Sequence, residues 1–130
     1  MNREIKFRAL NKQNEWVYGS LIYDVNEKWY IHQNNFVFWA GYCEIIPQTI
    51  SQFTGLKDKN SKKIYEGDII EYKDSTGLHR ETVVFDKGCF FAGWHCGSST
   101  REAPKLINTR ISTVIGNIYE SEVTNANTTN

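Results

Sequence analysis

Apolar and polar residues alternate over short stretches along most of this chain, and turn-forming residues interrupt the alternation at close intervals. From Glu4 to Ala9, the residues Ile5, Phe7 and Ala9 fall on one side of an extended backbone and Lys6 and Arg8 on the other. That is the pattern of a strand with one wet face. Asn11 to Asn14 is a polar turn, and Trp16 to Tyr23, rich in aromatic and β-branched residues, predicts a second strand. Gly19 inside it marks a bulge or a close approach of another backbone. Asp24 to Lys28 turns the chain, so Trp29 to His32 is expected to return antiparallel as a hairpin. The run Phe36 to Trp39 is apolar throughout and is expected to be buried on both sides. Tyr42 to Ile46 predicts another strand, ended by Pro47, which has no N–H to offer a ladder.

Between Gln48 and Phe53 a helical turn and a short strand fit equally well. Lys57 to Lys63 reads as a loop, and Ile64 to Lys73 as a strand broken by Gly67. Asp74 to Gly77 is a tight turn leading to a strand from Leu78 to Phe85, and Asp86, Lys87 and Gly88 turn again into Cys89 to Trp94. Gly97 to Pro104 is a small-residue, polar connection, Ile111 to Tyr119 a last strand, and Ser121 to Asn130 a tail with little to bury. Nowhere does a three-and-four spacing persist long enough for a substantial helix. The predicted architecture is mainly β, with antiparallel strands forming a small SH3-like barrel or sandwich over residues 62–120 and an N-terminal β-hairpin layer over 1–46. A single domain would span 1–120, with a flexible tail over 121–130.

Composition narrows the class. A length of 130 residues suits one domain, and 40% hydrophobic with 23% charged residues is ordinary for a globular protein. The 14% of aromatic residues favours strands. Fifteen basic and fifteen acidic residues cancel, so no global field attracts polyanions or anionic lipid. The densest basic stretch, Lys57 to Lys63, is diluted by Asp58, Asn60 and Ser61 and reads as a solvated turn. Three cysteines, Cys43, Cys89 and Cys96, form an odd set without disulfide spacing, and Met1 to Ala9 lacks an apolar run. Reduced thiols and a cytoplasmic location are expected, without a membrane role.

Three blocks of the chain resemble the YopX family of phage and prophage proteins. They are the opening Arg3 to Ala9, the central GLKDKNSKKIYEGDII from Gly55 to Ile70, and the closing Val114 to Glu120. They occur in the family's order and together span nearly the whole chain. The family pattern has a glycine where Ser61 stands, which implies a turn that is less tight or slightly strained here. The resemblance implies a mainly β fold with a small barrel-like part, an origin in phages and prophages of low-GC bacteria, and no established activity. Independently of it, Asp58 and Asn60 can bond nearby backbone amides, and Gly67 can free the chain to turn into Asp68.

Candidate binding residues are Tyr65, Glu66, Asp68 and Asp58, all within this central block. Glu66 and Asp68 could act as an acid–base pair or as ligands of a hard cation, but a glycine flanked by carboxylates also opens many β-strands for turn geometry alone. Cys89, His95 and Cys96 lack zinc spacing, and Cys43 and Cys89 are better read as small core residues. No phosphate loop, nucleophile elbow or dinucleotide fingerprint occurs in the chain. No catalytic residue, metal or cofactor is therefore assigned. The expected role is a non-enzymatic binding module that engages a protein partner or a second copy of itself. Phe36, Phe38, Trp39 and Tyr42 are the surplus aromatics that self-association would cover. Single-stranded nucleic-acid binding is the alternative, with aromatics stacking bases and Lys6, Arg8, Lys57 and Lys63 tracking phosphates. An enzyme using Glu66 and Asp68 is the second.

Overall fold

A computed structural model describes residues 3–33, 37, 40–93 and 105–120. Backbone contacts divide the chain into two units, Met1–Phe53 and Thr54–Asn130. The expectations for Phe36, Phe38 and Trp39, for His95 and Cys96, for residues 97–104 and for the tail over 121–130 fall outside the described residues.

In the first unit the strands are β1 (Phe7–Leu10), β2 (Trp16–Tyr23), β3 (Trp29–His32) and β4 (Tyr42–Glu44), followed by a 3-10 turn at Pro47–Thr49 and β5 (Ser51–Lys57), which runs on into the second unit. The order is β4-β3-β2-β1-β5, and the pairings are antiparallel. β2 and β3 coincide with the stretches the alternation marks out. The stretch from Gln48 to Phe53 contains both the elements that fitted it, a helical turn and then a strand. Asp24 closes the β2–β3 hairpin, its Oδ1 accepting the amides of Asn26 at 2.8 Å and Lys28 at 3.2 Å. One sheet face is apolar, with Ala9, Val17, Ile31 and Ile45 at its centre and Phe7, Leu21, Trp29, Cys43 and Ile50 around them. Gly19 is a point of close approach, since a Cβ there would lie 2.0 Å from the His32 carbonyl oxygen.

Two expectations for the first strand change. β1 begins at Phe7, and Ile5 is half exposed. Arg8, assigned to the wet face, is buried at 6% exposure. Its guanidinium lies 4.6 Å from the Trp16 ring centre, where a planar, weakly hydrated cation can exchange water for an aromatic face.

The second unit holds β6 (Lys63–Tyr65) beside the end of β5, and an antiparallel sheet of β7 (Asp68–Asp74), β8 (Gly77–Asp86), β9 (Cys89–Ala92) and β10 (Thr113–Asn117) in the order β10-β7-β8-β9. Ile64, Ile70, Val83, Ala92 and Val114 form its core. Lys87 and Gly88 both have positive φ, 50° and 81°, which suits the twist of a two-residue hairpin turn. Among the described residues this sheet does not close into a barrel. Beyond β9 the ladder continues only as a single bridge between Ala92 and Lys105 and stops short of β10 at the other edge.

The last strand is also shorter than expected. It ends at Asn117, whose side-chain oxygen accepts the amides of Tyr119 at 3.0 Å and Glu120 at 2.9 Å. That is a helix N-cap, and residues 118–120 form a helical turn. Cys43 packs against the first core, whereas Cys89 is exposed at the start of β9 rather than buried. Among the described residues no helix is long and apolar enough to cross a membrane.

Candidate functional site

Asp58 sits at the tip between β5 and β6 and is buried. Its Oδ1 accepts the amides of Asn60 at 2.8 Å and Lys62 at 2.9 Å, and its Oδ2 accepts the amide of Val114 at 2.9 Å. Burial pushes this carboxyl up, but the three amides and the nearby Lys62 charge outweigh it and hold the pKa below its ordinary value. Ser61, in the same loop, has φ 67°, the left-handed conformation that the glycine of the family pattern would take without strain.

Asp68 is almost fully buried, and its Oδ2 accepts the amide of Tyr65 at 2.7 Å across the turn that joins β6 to β7. Tyr65 is itself buried at 4% exposure. Gly67 occupies the corner with φ 85°, where a Cβ would meet the Tyr119 ring at 3.0 Å. Glu66 is half-buried, and burial raises its pKa. The structure thus commits Asp58 and Asp68 to backbone amides. Among the described residues, no three His, Cys, Asp or Glu side chains are grouped to hold a metal ion.

Two other places gather side chains outside the central block. The first is the outer face of the N-terminal sheet. Paired residues project to the same side, so the registers Arg8↔Tyr18, Ser20↔His32↔Tyr42 and Ile22↔Tyr30↔Glu44 place these residues on one surface, opposite the apolar core. Tyr18 and Tyr42 are 41% and 45% exposed. The rings of His32 and Tyr42 lie 4.6 Å apart, and the Lys6 ammonium stands 5.8 Å above the Tyr18 ring.

The second is a cavity of about 210 Å³ in the C-terminal unit, lined by Ile70, Ala92, Leu106 and Ile111 together with Glu81 and Ser112. Asp74 also lines it. The hydroxyl and amide of Thr76 and the neighbouring His79 lower the Asp74 carboxyl to about 2. Strand alternation carried a signal for Glu81, which stands two residues before the buried Val83 on β8 and so shares its face. Ser112 stands two residues before the buried Val114 in the stretch expected as the last strand, although the observed β10 begins one residue after it.

The family model for the YopX protein matches residues 6–123. The chain belongs to the YopX family. Among solved structures, this YopX chain is similar to the crystal structure of protein EF1440 from Enterococcus faecalis, at 23% identity and a TM-score of 0.55. The likeness covers 93% of this chain and 97% of that one. At that identity it speaks for the fold. No curated protein matches.

Proposed function

We propose that this YopX chain is a non-enzymatic interaction module, an accessory protein of phage or prophage acting in the host cytoplasm, and that it associates with a second copy of itself. The observation that carries this reading is the outer sheet face bearing Tyr18, Tyr30, His32 and Tyr42. Tyrosines give large, rigid contact area and a hydroxyl for a polar rim, which is the composition of association surfaces.

Charge favours a second copy over a polyanion. The face carries Lys6 at its β1 end and Glu44, which pairs with Lys12 at 3.9 Å, at its β4 edge, so its charge is mixed rather than uniformly basic. Arg8 is buried over Trp16 and Lys12 is paired with Glu44, so among the described residues this face does not present the stripe of free cations that a phosphate backbone requires. Four strands about 4.8 Å apart and five residues long make a face of about 300 Å², well below the roughly 800 Å² per partner of a standard interface. The dimer is therefore weak and concentration-dependent.

Sedimentation velocity over a wide concentration range tests the reading. A monomer–dimer equilibrium that Tyr18→Glu and Tyr42→Glu together abolish supports it. A strict monomer at millimolar concentration overturns it, and salt-sensitive binding of short labelled DNA or RNA, lost in the same double variant, replaces it with the nucleic-acid alternative.

A further inference from the structure

Three cations from three separate segments of the C-terminal unit line one open cleft of about 310 Å³. Lys59 comes from the β5–β6 loop, and its amide donates to the Ser112 carbonyl at 3.0 Å. Thr113, the next residue, pairs with Glu71 on β7, and Lys73 stands two residues beyond Glu71 on the same face of that strand. Arg110 belongs to the turn before β10, where its amide donates to Asn108 Oδ1 at 3.1 Å. Lys59, Lys73 and Arg110 are all exposed, so their charged heads are open to a ligand.

The neighbouring acids are engaged elsewhere. Glu71 also lines the cleft, but its Oε2 accepts Arg80 Nε at 2.8 Å. Asp58, beside Lys59, is held by the amides of Asn60, Lys62 and Val114. Asp74, beside Lys73, accepts the Thr76 hydroxyl at 2.6 Å and lies 2.9 Å from His79 Nε2. Lys59, Lys73 and Arg110 themselves have no ion pair among the described residues. Charge balanced over the whole chain is thus unbalanced here, and a concave wall of one sign concentrates anions.

Ammonium and guanidinium groups only donate hydrogen bonds. A phosphate monoester brings three strong acceptor oxygens and nearly two negative charges, whereas a carboxylate brings two oxygens and one charge. Leu78, 59% exposed, and Ile111 give the cleft an apolar wall beside the cations. Its volume lies at the lower end of the roughly 300–1,000 Å³ of small-molecule sites.

We propose that Lys59, Lys73 and Arg110 bind the phosphate of a small phosphomonoester whose organic part lies against Leu78 and Ile111. The site is independent of the aromatic face in the N-terminal unit.

Amide NMR shifts of the full chain, titrated with phenyl phosphate, inorganic phosphate, dimethyl phosphate and uncharged phenol, test the proposal. Saturable shifts at the Lys59, Lys73 and Thr113 amides are expected with phenyl phosphate, weaker ones with inorganic phosphate, and none with phenol. Lys59→Met with Arg110→Met is expected to weaken phenyl phosphate at least about tenfold, as the loss of charged hydrogen bonds does. Lys87→Met, which removes an exposed cation at the opposite end of β8, is expected to leave the affinity unchanged. Absence of saturable shifts, equal response to phenol, or equal weakening by Lys87→Met each overturns the site. Dimethyl phosphate, or a short oligonucleotide without terminal phosphates, binding as tightly as phenyl phosphate makes a phosphodiester backbone the ligand and overturns the monoester.

Discussion

Asp58 and Val114, 56 residues apart in sequence, are joined by a hydrogen bond of 2.9 Å in which the Val114 amide donates to Asp58 Oδ2. The same carboxylate holds the loop amides of Asn60 and Lys62 on its other oxygen. One side chain therefore both shapes the β5–β6 loop and ties it to the start of β10. Asp58→Ala leaves these donors without an acceptor, and a loss of about 2–4 kcal/mol is expected in urea denaturation. Asp58→Asn keeps one good acceptor and is expected to cost less.

The same residue sets part of the acid limit of the fold. Its pKa is lower in the folded than in the unfolded chain. Its contribution is thus complete above the unfolded value, near 3.8, and is lost as pH falls through the folded value. Acid unfolding of Asp58→Asn is expected to show a shallower dependence on pH below that point, read from urea midpoints at successive pH values.

Glu66 has the opposite sign. Burial raises its folded pKa above the ordinary value of 4.5, so stability declines as pH rises from the unfolded pKa through the folded one. Glu66→Gln is expected to stabilise the protein at neutral pH, and the gain should vanish below pH 4.5. An equal gain at both pH values would remove ionisation as its cause.

Ser61 adopts φ 67° in a loop otherwise well supplied with hydrogen bonds. A left-handed conformation costs an L-residue roughly 1–2 kcal/mol, part of which glycine returns to the unfolded chain as entropy. Ser61→Gly is expected to raise stability by about 0.5–1 kcal/mol, measured by thermal and urea unfolding.

Gly19→Ala is expected to be the most damaging small substitution in the N-terminal unit. The added methyl would lie 2.0 Å from the His32 carbonyl oxygen, and this atom belongs to backbone that cannot swing away. β2 and β3 must separate to admit it. Loss of more than about 3 kcal/mol is expected, visible as lost amide dispersion for residues 16–32 in NMR spectra.

Strands were legible wherever the alternation of side chains and a turn residue agreed, as at Trp16–Tyr23 and Trp29–His32, because both signals are local. The family was legible for the same reason, its landmarks being turns such as Asp58 to Ser61 and Gly67. The burial of Arg8 was not, since it depends on Trp16 arriving from the neighbouring strand. Nor was the capped end of β10, where the Asn117 side-chain oxygen accepts the amides of Tyr119 and Glu120.

Asp68 stood out as a candidate binding residue because carboxylates beside glycine suggest chemistry as readily as turns, and Asp58 because it lies in the same central block. The fold turns both toward main-chain amides. Glu81 shows the converse. Local order along β8 already puts it on the face of Val83, but nothing in its neighbours announces a cavity.

Sequence alone determined where most of the strands and turns lie and which family the chain belongs to, all of which follow from the two-residue period of extended chain and the conformations open to glycine, asparagine and aspartate. Tertiary structure decided which polar side chains find partners. A hydrogen bond such as that from Val114 to Asp58 joins atoms 56 residues apart, and only the folded chain brings them within reach. The same packing buries Glu81 Oε2 and Ser112 Oγ without a hydrogen-bond partner among the described residues.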